Sequence, residues 1–156
     1  MIFVTHSQPV NTDDDKIRVT RAQLWDGLVQ KANNALPFVA AMTDCTVTAR
    51  ISDTVFDRDI VVRGEPQTER ITLVEPNRVV FTRTAGSVLG VIANEIEGDD
   101  DDLRLRFSFA LVVPDAEPGS SEEQAYADGM KDDYLEAVGS TIAAVRATVA
   151  NQGQDS

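Results

Sequence analysis

A helical stripe near the C-terminus constrains the fold more than any other feature of this sequence. Its members recur every three or four residues, as on one face of an α-helix, and they are Tyr126, Met130, Tyr134, Val138, Ile142, Val145 and Val149. Ser120 and Glu123 have the spacing of a capping box, and Gly153 lies just beyond the predicted end. From residue 121 to residue 149, at about 1.5 Å per residue, this helix is about 40 Å long.

The middle of the chain has the two-residue alternation of β-strands. Turn residues divide it into six predicted strands, at 45–51, 55–62, 68–73, 78–84, 87–97 and 103–113. Another strand is predicted at 2–10, followed by a helix that begins after the capping box of Thr20 and Gln23 and ends near Asn33. The segment PFVAAM (37–42) predicts one more short turn of helix.

These elements predict a single α+β domain over residues 1–156, in the order β-α-α-β6-α, with a disordered tail from residue 150. Even the longest strand would reach only about 36 Å, so the long helix has to lie along the sheet. Short connections favour an antiparallel meander, with the first strand at an edge or across the closing seam. One helix about 10 Å across cannot fill the concavity of a twisted sheet of about seven strands. We therefore expect a curved sheet wrapped around the C-terminal helix, in which either large side chains fill the remaining gap or an internal hydrophobic cavity remains. The chain has only nine aromatic residues, which favours a partly empty interior.

Charge and composition argue against several classes of function. The net charge is -12 and the lysines and arginines form no cluster, so neither nucleic acid nor an anionic membrane is an expected partner. The single cysteine and the lack of a long apolar segment favour a cytoplasmic protein without membrane insertion. The sequence has no Gly-rich phosphate loop, His-x-x-x-His spacing or nucleophile elbow, so no cofactor or metal is expected.

Motifs along the whole chain resemble one protein family. They are LWDGLVQKA (24–32), FDRDIVVRG (56–64), EPNRVVF (75–81), LRLRFSF (103–109) and STIAAVR (140–146). Together with the order of elements, they resemble the AtaL-like family of unknown function, within the SRPBCC superfamily of START domains, birch-pollen-allergen-like proteins and polyketide cyclases. The resemblance implies a helix-grip fold around a hydrophobic pocket, with ligand binding as the default activity and cyclase or aromatase chemistry in some relatives. The resemblance identifies no catalytic residues. In the sixth strand the segment ANEIEG (93–98) departs from the pattern of similar sequences, so the face of the sheet on which Asn94 and Glu95 lie is left open.

The strand VFDRDIV, residues 55–61, contains the most informative charge. Alternation places Arg58 on the apolar face of this strand, with Phe56 and Ile60, opposite the two aspartates. A guanidinium that points inward must be paired or hydrogen-bonded. It could therefore orient a carboxylate, enolate or carbonyl oxygen of an apolar ligand. The alternatives are an ion pair with an inner acid, or a side chain that extends to the mouth of the pocket.

The other candidate ligand-binding residues are mostly aromatic. Besides Arg58, Phe56 and Ile60, they are Trp25, Phe81, Phe107, Phe109, Tyr126, Met130 and Tyr134. Trp25 either packs in the core or lines and gates the pocket. The three residues of the helical stripe either border the cavity or belong to an ordinary core. If the protein is an enzyme, the candidate catalytic residues are Arg58, His6, Tyr126 and Tyr134, although a lone histidine is usually structural.

Three functional hypotheses follow. The first is the binding or carrying of a small hydrophobic molecule with a polar or acidic end, such as a polyketide-like metabolite, a fatty acid or an aromatic compound. The second is a cofactor-independent cyclase, aromatase or isomerase, in which Arg58 stabilises an enolate and a tyrosine or His6 moves a proton. The third is a structural or interaction module whose pocket is filled by its own side chains, which an enclosed cavity above about 300 Å³ would disfavour. A homodimer is a further prediction, although no surface patch in the sequence marks an interface.

Overall fold

The computed structural model describes the backbone of residues 1–154, in which there are seven strands and two helices. In chain order they are β1 (Ile2–Pro9), α1 (Arg21–Asn33), β2 (Met42–Arg50), β3 (Val55–Val62), β4 (Glu65–Val74), β5 (Arg78–Gly86), β6 (Leu89–Glu97), β7 (Arg104–Val112) and α2 (Ser121–Gln154). All seven predicted strands are present, with ends shifted by a few residues. Neither helix in this range has a stretch that is long and apolar enough to span a membrane.

The seven strands form one antiparallel sheet in the order β1-β7-β6-β5-β4-β3-β2. β1 lies at one edge beside β7, which is one of the two positions expected, and β2 lies at the other edge. A two-residue turn joins β3 to β4. Its residues Arg63 and Gly64 have φ values of 50° and 80°, as in the tight turns that match the twist of a hairpin. The α+β class and the helix-grip fold are thus confirmed.

The segment PFVAAM is not helical. Residues 36–38 and 40–41 form turns, in which the backbone N–H groups of Phe38 and Val39 donate to the carbonyl of Ala35 at 2.9 and 3.0 Å. Pro37 has no N–H to donate, and few residues remain before β2 begins, so a helix cannot propagate. The second predicted helix is therefore absent from the described residues.

α2 begins where the sequence predicts and continues past its predicted end. The Ser120 hydroxyl accepts a hydrogen bond from the Glu123 backbone N–H at 3.1 Å, which caps the first turn. The helix extends to Gln154, so the predicted disordered tail is helical over residues 150–154. The last two residues of that tail, 155 and 156, lie outside the described residues.

The C-terminal half of α2 packs its stripe against the inner face of the sheet. Val138, Ile142 and Val145 are buried in the same core as the β7 residues Phe107 and Phe109. Farther towards the N-terminus of the helix, the stripe is only partly buried: Tyr126, Met130 and Tyr134 adjoin the core without being enclosed by it. This difference between the two halves of α2 positions the site described below.

Gly27 lies where α1 crosses α2. A glycine inside a helix costs about 1 kcal/mol relative to alanine, so its presence predicts a close approach by a neighbouring element. The structure confirms this, because a Cβ atom added at Gly27 would lie 2.3 Å from Cγ2 of Val145. Gly139, in α2, has no such neighbour in the described part of the chain, where a Cβ atom added at this glycine would meet nothing within 4 Å.

Gly27→Ala is expected to lower the free energy of unfolding by about 1–3 kcal/mol, because the added methyl group overlaps the stiff, branched side chain of Val145. Gly139→Ala is the matched control, and it should raise the free energy of unfolding by about 0.5–1 kcal/mol because alanine has the better helix propensity. Urea unfolding followed by circular dichroism measures both effects. Stabilisation of equal size by the two substitutions would show that the helices do not meet closely at Gly27.

Candidate ligand-binding site

The pairing of β3 with β4 sorts four charged residues into two ion pairs on opposite faces of the sheet. Asp57 lies opposite Arg70 and Arg58 lies opposite Glu69. On the outer face, Nε of Arg70 donates to Oδ1 of Asp57 at 2.9 Å, and the pair is partly exposed. On the inner face, Nε of Arg58 donates to Oε1 of Glu69 at 2.9 Å, and each residue is only 2% exposed. The inward facing of Arg58 predicted from alternation is therefore observed.

The Arg58 guanidinium has most of its donors engaged within the protein. Its Nη2 also lies 2.9 Å from Oε1 of Glu69. Its Nη1 donates to the carbonyls of Lys31 and Ala32 at 2.9 and 2.8 Å, which satisfies two acceptors that the last turn of α1 leaves without helical partners. Arg58 thus ties β3 and β4 to the end of α1. Its partner is an inner acid, which is the structural alternative to a ligand-binding role.

Lys31 is a buried amine on the same turn of α1. It is 8% exposed, and its Nζ donates to Oδ1 of Asn94 at 3.0 Å. Within the described residues, no carboxylate oxygen lies within 4 Å of this Nζ, so it has no ion-pair partner there. Burial, followed by the nearby positive charge of Arg58, lowers the pKa of Lys31 from 10.5 to about 8, while Glu69 opposes the shift. The hydrogen bond from Lys31 also shows which face Asn94 lies on, because Asn94 is buried on the inner side of β6.

Arg83, on β5, is the third buried cation. It is 9% exposed, and its Nε donates weakly to Oε2 of Glu69 at 3.4 Å. Within the part of the chain that the structure describes, its two terminal amino groups donate no hydrogen bond to the protein. Glu69 is thus shared by Arg58 and Arg83, and Arg83 retains donors for another acceptor.

Tyr134 brings an aromatic wall and a hydroxyl to the same place. Its ring packs against those of Phe107 and Phe109, with centroids 5.7 and 4.8 Å apart. Burial raises the pKa of the phenol to about 12, with the positive charge of Arg83 opposing the shift. The hydroxyl is therefore protonated at neutral pH, and it makes no hydrogen bond within the described residues.

Two adjoining spaces lie between the sheet and the N-terminal half of α2. The inner space has a volume of about 90 Å³ and is lined by the polar groups above together with Phe81, Ile92 and Met130. The outer space has a volume of about 380 Å³, and its walls include Val88 and Tyr126. Both are lined by Val62, Arg83, Met130 and Asp133, so the inner space adjoins the outer one beside Arg83. The inner space alone is smaller than the roughly 300–1,000 Å³ of typical small-molecule sites, whereas the outer space falls within that range.

An ion pair connects the β3–β4 turn to α2 beside the outer space. Nε of Arg63 donates to Oδ2 of Asp133 at 2.7 Å, and Nη2 of Arg63 donates to Oδ1 of the same carboxylate. Arg63 holds its backbone in the left-handed region and is mostly exposed, while Asp133 is partly buried. The carboxylate of Asp133 is therefore neutralised by a cation from outside the inner space.

The structure brings only some of the predicted site residues together. Arg58, Phe81, Met130 and Tyr134 line the inner space, and Tyr126 and Met130 line the outer one. Trp25 lines a separate groove of about 520 Å³ between α1 and the C-terminal half of α2. Phe56, Ile60, Phe107 and Phe109 are buried in the core and are not among the lining residues of either space. His6 meets the edge of the Phe107 ring, with centroids 6.1 Å apart, and likewise lines neither space.

Four functional candidates were missed by the sequence reasoning, namely Lys31, Glu69, Arg83 and Asn94. The signal that identified Arg58 was available for three of them. Lys31 follows Leu24 and Leu28 at helical spacing on the buried stripe of α1. Glu69 has the same strand parity as Ile71, and Arg83 has the same parity as Phe81. In each case a charged side chain occupies a position that periodicity assigns to the apolar face.

Comparisons with known proteins agree with this architecture. The sequence model of the family described as AtaL, acetylaranotin biosynthesis cluster protein L, matches residues 4–152. No curated protein matches the sequence. Similar solved structures include TTHA0849 from Thermus thermophilus, with 12% identity, a TM-score of 0.74, and coverage of 94% of this chain and 98% of that one. The Zhui aromatase/cyclase from Streptomyces sp. R1128 has 10% identity and a TM-score of 0.64, and the match covers 96% of this chain and 94% of that one. Ara h 8.0201 has 12% identity, a TM-score of 0.60 and coverage of 96% and 99%.

Proposed function

Because this chain belongs to the AtaL family, we propose that it binds a small, mostly apolar molecule whose anionic end enters the inner space beside Arg83. The observation that carries the proposal is the charge balance at that end. Among the residues that the structure describes, three cations, Lys31, Arg58 and Arg83, are buried around a single buried carboxylate, Glu69. The other carboxylate on the wall belongs to Asp133 and is already paired with Arg63.

Such an excess of buried positive charge is costly without an anion. Moving an ion out of water costs several kcal/mol unless a partner and hydrogen bonds compensate for it. The whole chain carries a net charge of -12, so the local excess is not a consequence of its composition. A carboxylate or enolate from a ligand would supply the missing partner, and Arg83 still has terminal donors for bidentate hydrogen bonds.

The apolar part of the ligand would extend from the inner space into the outer one. Phe81 and Ile92 form the sheet side of the inner space, Met130 borders both spaces, and Val88 and Tyr126 border the outer one. Methionine and aromatic side chains suit a wall that adapts to different shapes. In this arrangement Arg58 acts indirectly, because its donors hold Glu69 and the end of α1.

Binding is favoured over the cyclase, aromatase or isomerase alternative by the contacts within the inner space. Around Arg58, the titratable groups of the described residues that lie within hydrogen-bond reach of each other are the ion pairs Arg58–Glu69 and Arg83–Glu69. An arginine does not exchange its proton near neutral pH, so neither pair is an acid and base poised for proton transfer. The predicted cytoplasmic location and the predicted homodimer stay predictions.

The acid hydrocinnamate and its neutral amide form a matched pair of probes for this site. We expect the protein to bind the carboxylate at least about tenfold more tightly than hydrocinnamide, because only the carboxylate compensates the buried cations. Arg83→Met should remove about this tenfold advantage and leave the affinity for the amide unchanged. Isothermal titration calorimetry at neutral pH measures both affinities.

Arg70→Met is the control, since it removes an arginine from the outer face of the neighbouring strand and should not change either affinity. Equal affinities for the acid and the amide in the unmodified protein would contradict an anionic end. Failure of both probes to bind would instead favour the third hypothesis, in which side chains of the protein fill the pocket.

A further inference from the structure

Lys31 differs from every other lysine of this chain in its surroundings. The sequence has three lysines, and both Lys16 and Lys131 are exposed. Lys31 is 8% exposed, lies on the wall of the inner space, and has Oδ1 of Asn94 as the one hydrogen-bond acceptor of its Nζ among the described residues. An ammonium group has three donors, so two of them lack a protein acceptor there.

The charged groups around Lys31 disfavour its protonated form on balance. Arg58 lies on β3 and donates to the Lys31 backbone carbonyl, and Arg83 lines the same space from β5. Glu69, on β4, is the opposing negative charge, but both arginines already share it. Asp133 reaches the wall from α2 and is paired with Arg63. The amine thus lies among cations whose counterions are engaged elsewhere, a setting that activates lysine nucleophiles.

We propose that Lys31 is a nucleophilic amine that forms an imine with an aldehyde or ketone group of the bound molecule. The inference rests on the proposed function in one respect, namely that the carbonyl compound enters through the same two adjoining spaces. The inner space, at about 90 Å³, is large enough for a carbonyl group and a few attached atoms rather than for a whole ligand. A carbonyl-bearing end at the bottom of this space would therefore be held against the amine.

The reaction balances without a cofactor or an oxidant. The lone pair of the neutral amine attacks the carbonyl carbon, and a carbinolamine forms after a proton moves from nitrogen to oxygen. Loss of the hydroxyl group together with the remaining amine proton, as one water molecule, gives the C=N bond. The Tyr134 hydroxyl, which lines the same space and has no hydrogen bond within the described residues, can donate to the carbonyl oxygen. Since burial and the charge of Arg58 lower the pKa of Lys31 to about 8, part of the amine is neutral near pH 7.

Reductive trapping tests the proposal directly. The full chain is incubated at about pH 7 with hydrocinnamaldehyde and cyanoborohydride, a hydride donor that reduces the imine to a stable secondary amine, and the labelled sites are mapped by proteolysis and mass spectrometry. The modified peptide gains the mass of the aldehyde less one oxygen atom. We expect label on Lys31 to exceed that on Lys16 or Lys131 by at least about tenfold, because only Lys31 lines the inner space, where burial and the charge of Arg58 lower the pKa of its amine to about 8.

Lys31→Arg is the matched variant, since it keeps a cation on α1 but removes the nucleophile. Label on the peptide containing residue 31 should disappear, while label on Lys16, Lys131 and the α-amine of Met1 stays unchanged. Uniform low labelling of all three lysines in the unmodified protein would overturn the proposal, and this measurement does not depend on whether the variant folds.

The outcomes separate this inference from the proposed function. If hydrocinnamate binds through Arg83 but Lys31 is not trapped by the aldehyde, the proposal of imine formation is wrong and the proposed binding site is supported. If Lys31 is trapped selectively while the acid binds no better than the amide, the proposal of a nucleophilic Lys31 is supported and the proposal of an anionic ligand is wrong.

Discussion

Arg58→Met is expected to lower the free energy of unfolding by about 3–5 kcal/mol, because it leaves the Glu69 carboxylate buried without its main partner. Arg58 and Glu69 are each 2% exposed, so water cannot replace the lost hydrogen bonds without a local opening of the structure. Two carbonyls at the end of α1 also lose their donor. Methionine is shorter but has a similar volume and a flexible side chain, which limits the contribution of a new cavity. Urea unfolding at neutral pH measures the change.

Arg70→Met is the matched control because it removes the other ion pair between β3 and β4. Arg70 is directly opposite Asp57, with an Nε–Oδ1 distance of 2.9 Å, but the arginine is half exposed on the outer face. Exposed ion pairs contribute about 0–1 kcal/mol, so this substitution should have little effect. Similar losses from the two substitutions would contradict the assignment of Arg58 to a buried structural pair.

The second large effect is a dependence of stability on pH that belongs to Lys31. Its pKa is lowered to about 8 in the folded protein, mainly by burial, from the ordinary value of 10.5. Between these two values the unfolded chain binds more protons than the folded one, so stability rises as the pH increases. The destabilisation of the folded state by the buried Lys31 ammonium is fully present below pH 8 and disappears as the pH rises through 10.5. Its total size is about 3 kcal/mol, from the size of the shift.

The measurement is the difference between the unmodified protein and Lys31→Met in urea unfolding at several pH values from about 7 to about 10. We expect the free energy of unfolding of Lys31→Met to exceed that of the unmodified protein at pH 7, and this difference to shrink by about 2–3 kcal/mol over the range. Tyr134, whose pKa is raised by burial from 10.0 to about 12, destabilises the folded state only above pH 10, and it is common to both proteins. Lys131→Met, which removes an exposed lysine, should show no such trend. A constant difference between Lys31→Met and the unmodified protein would mean that Lys31 titrates as it does in water.

The fold could be predicted from periodicity because each element shows one period over most of its length. The alternation of β7 and the stripe of α2 are uninterrupted, and both elements begin within one residue of the predicted start. The segment after α1 was predicted wrongly because six residues are too few for periodicity to distinguish a helical turn from two tight turns. The end of α2 was misplaced because Gly153 resembles a helix stop, whereas the helix continues through it.

The inward facing of Arg58 could be predicted, but its partner could not. Parity assigns a strand residue to a face, whereas the identity of the residue opposite depends on how the hairpin pairs. The size of the cavity is also beyond sequence reasoning, since it depends on how side chains such as Met130 and Tyr134 fill the space. This is why four predicted ligand-binding residues, Phe56, Ile60, Phe107 and Phe109, lie in the core instead of on a cavity wall.

The two ion pairs between β3 and β4 have a consequence for the alignment of the hairpin. If either strand slid by one residue in one direction, Arg58 would face Arg70; in the other direction, Asp57 would face Glu69. Each misalignment therefore brings like charges directly opposite each other and also turns apolar side chains outward. A slide of one residue is thus opposed from both sides, so the charges inside and outside the sheet select a single alignment for this hairpin.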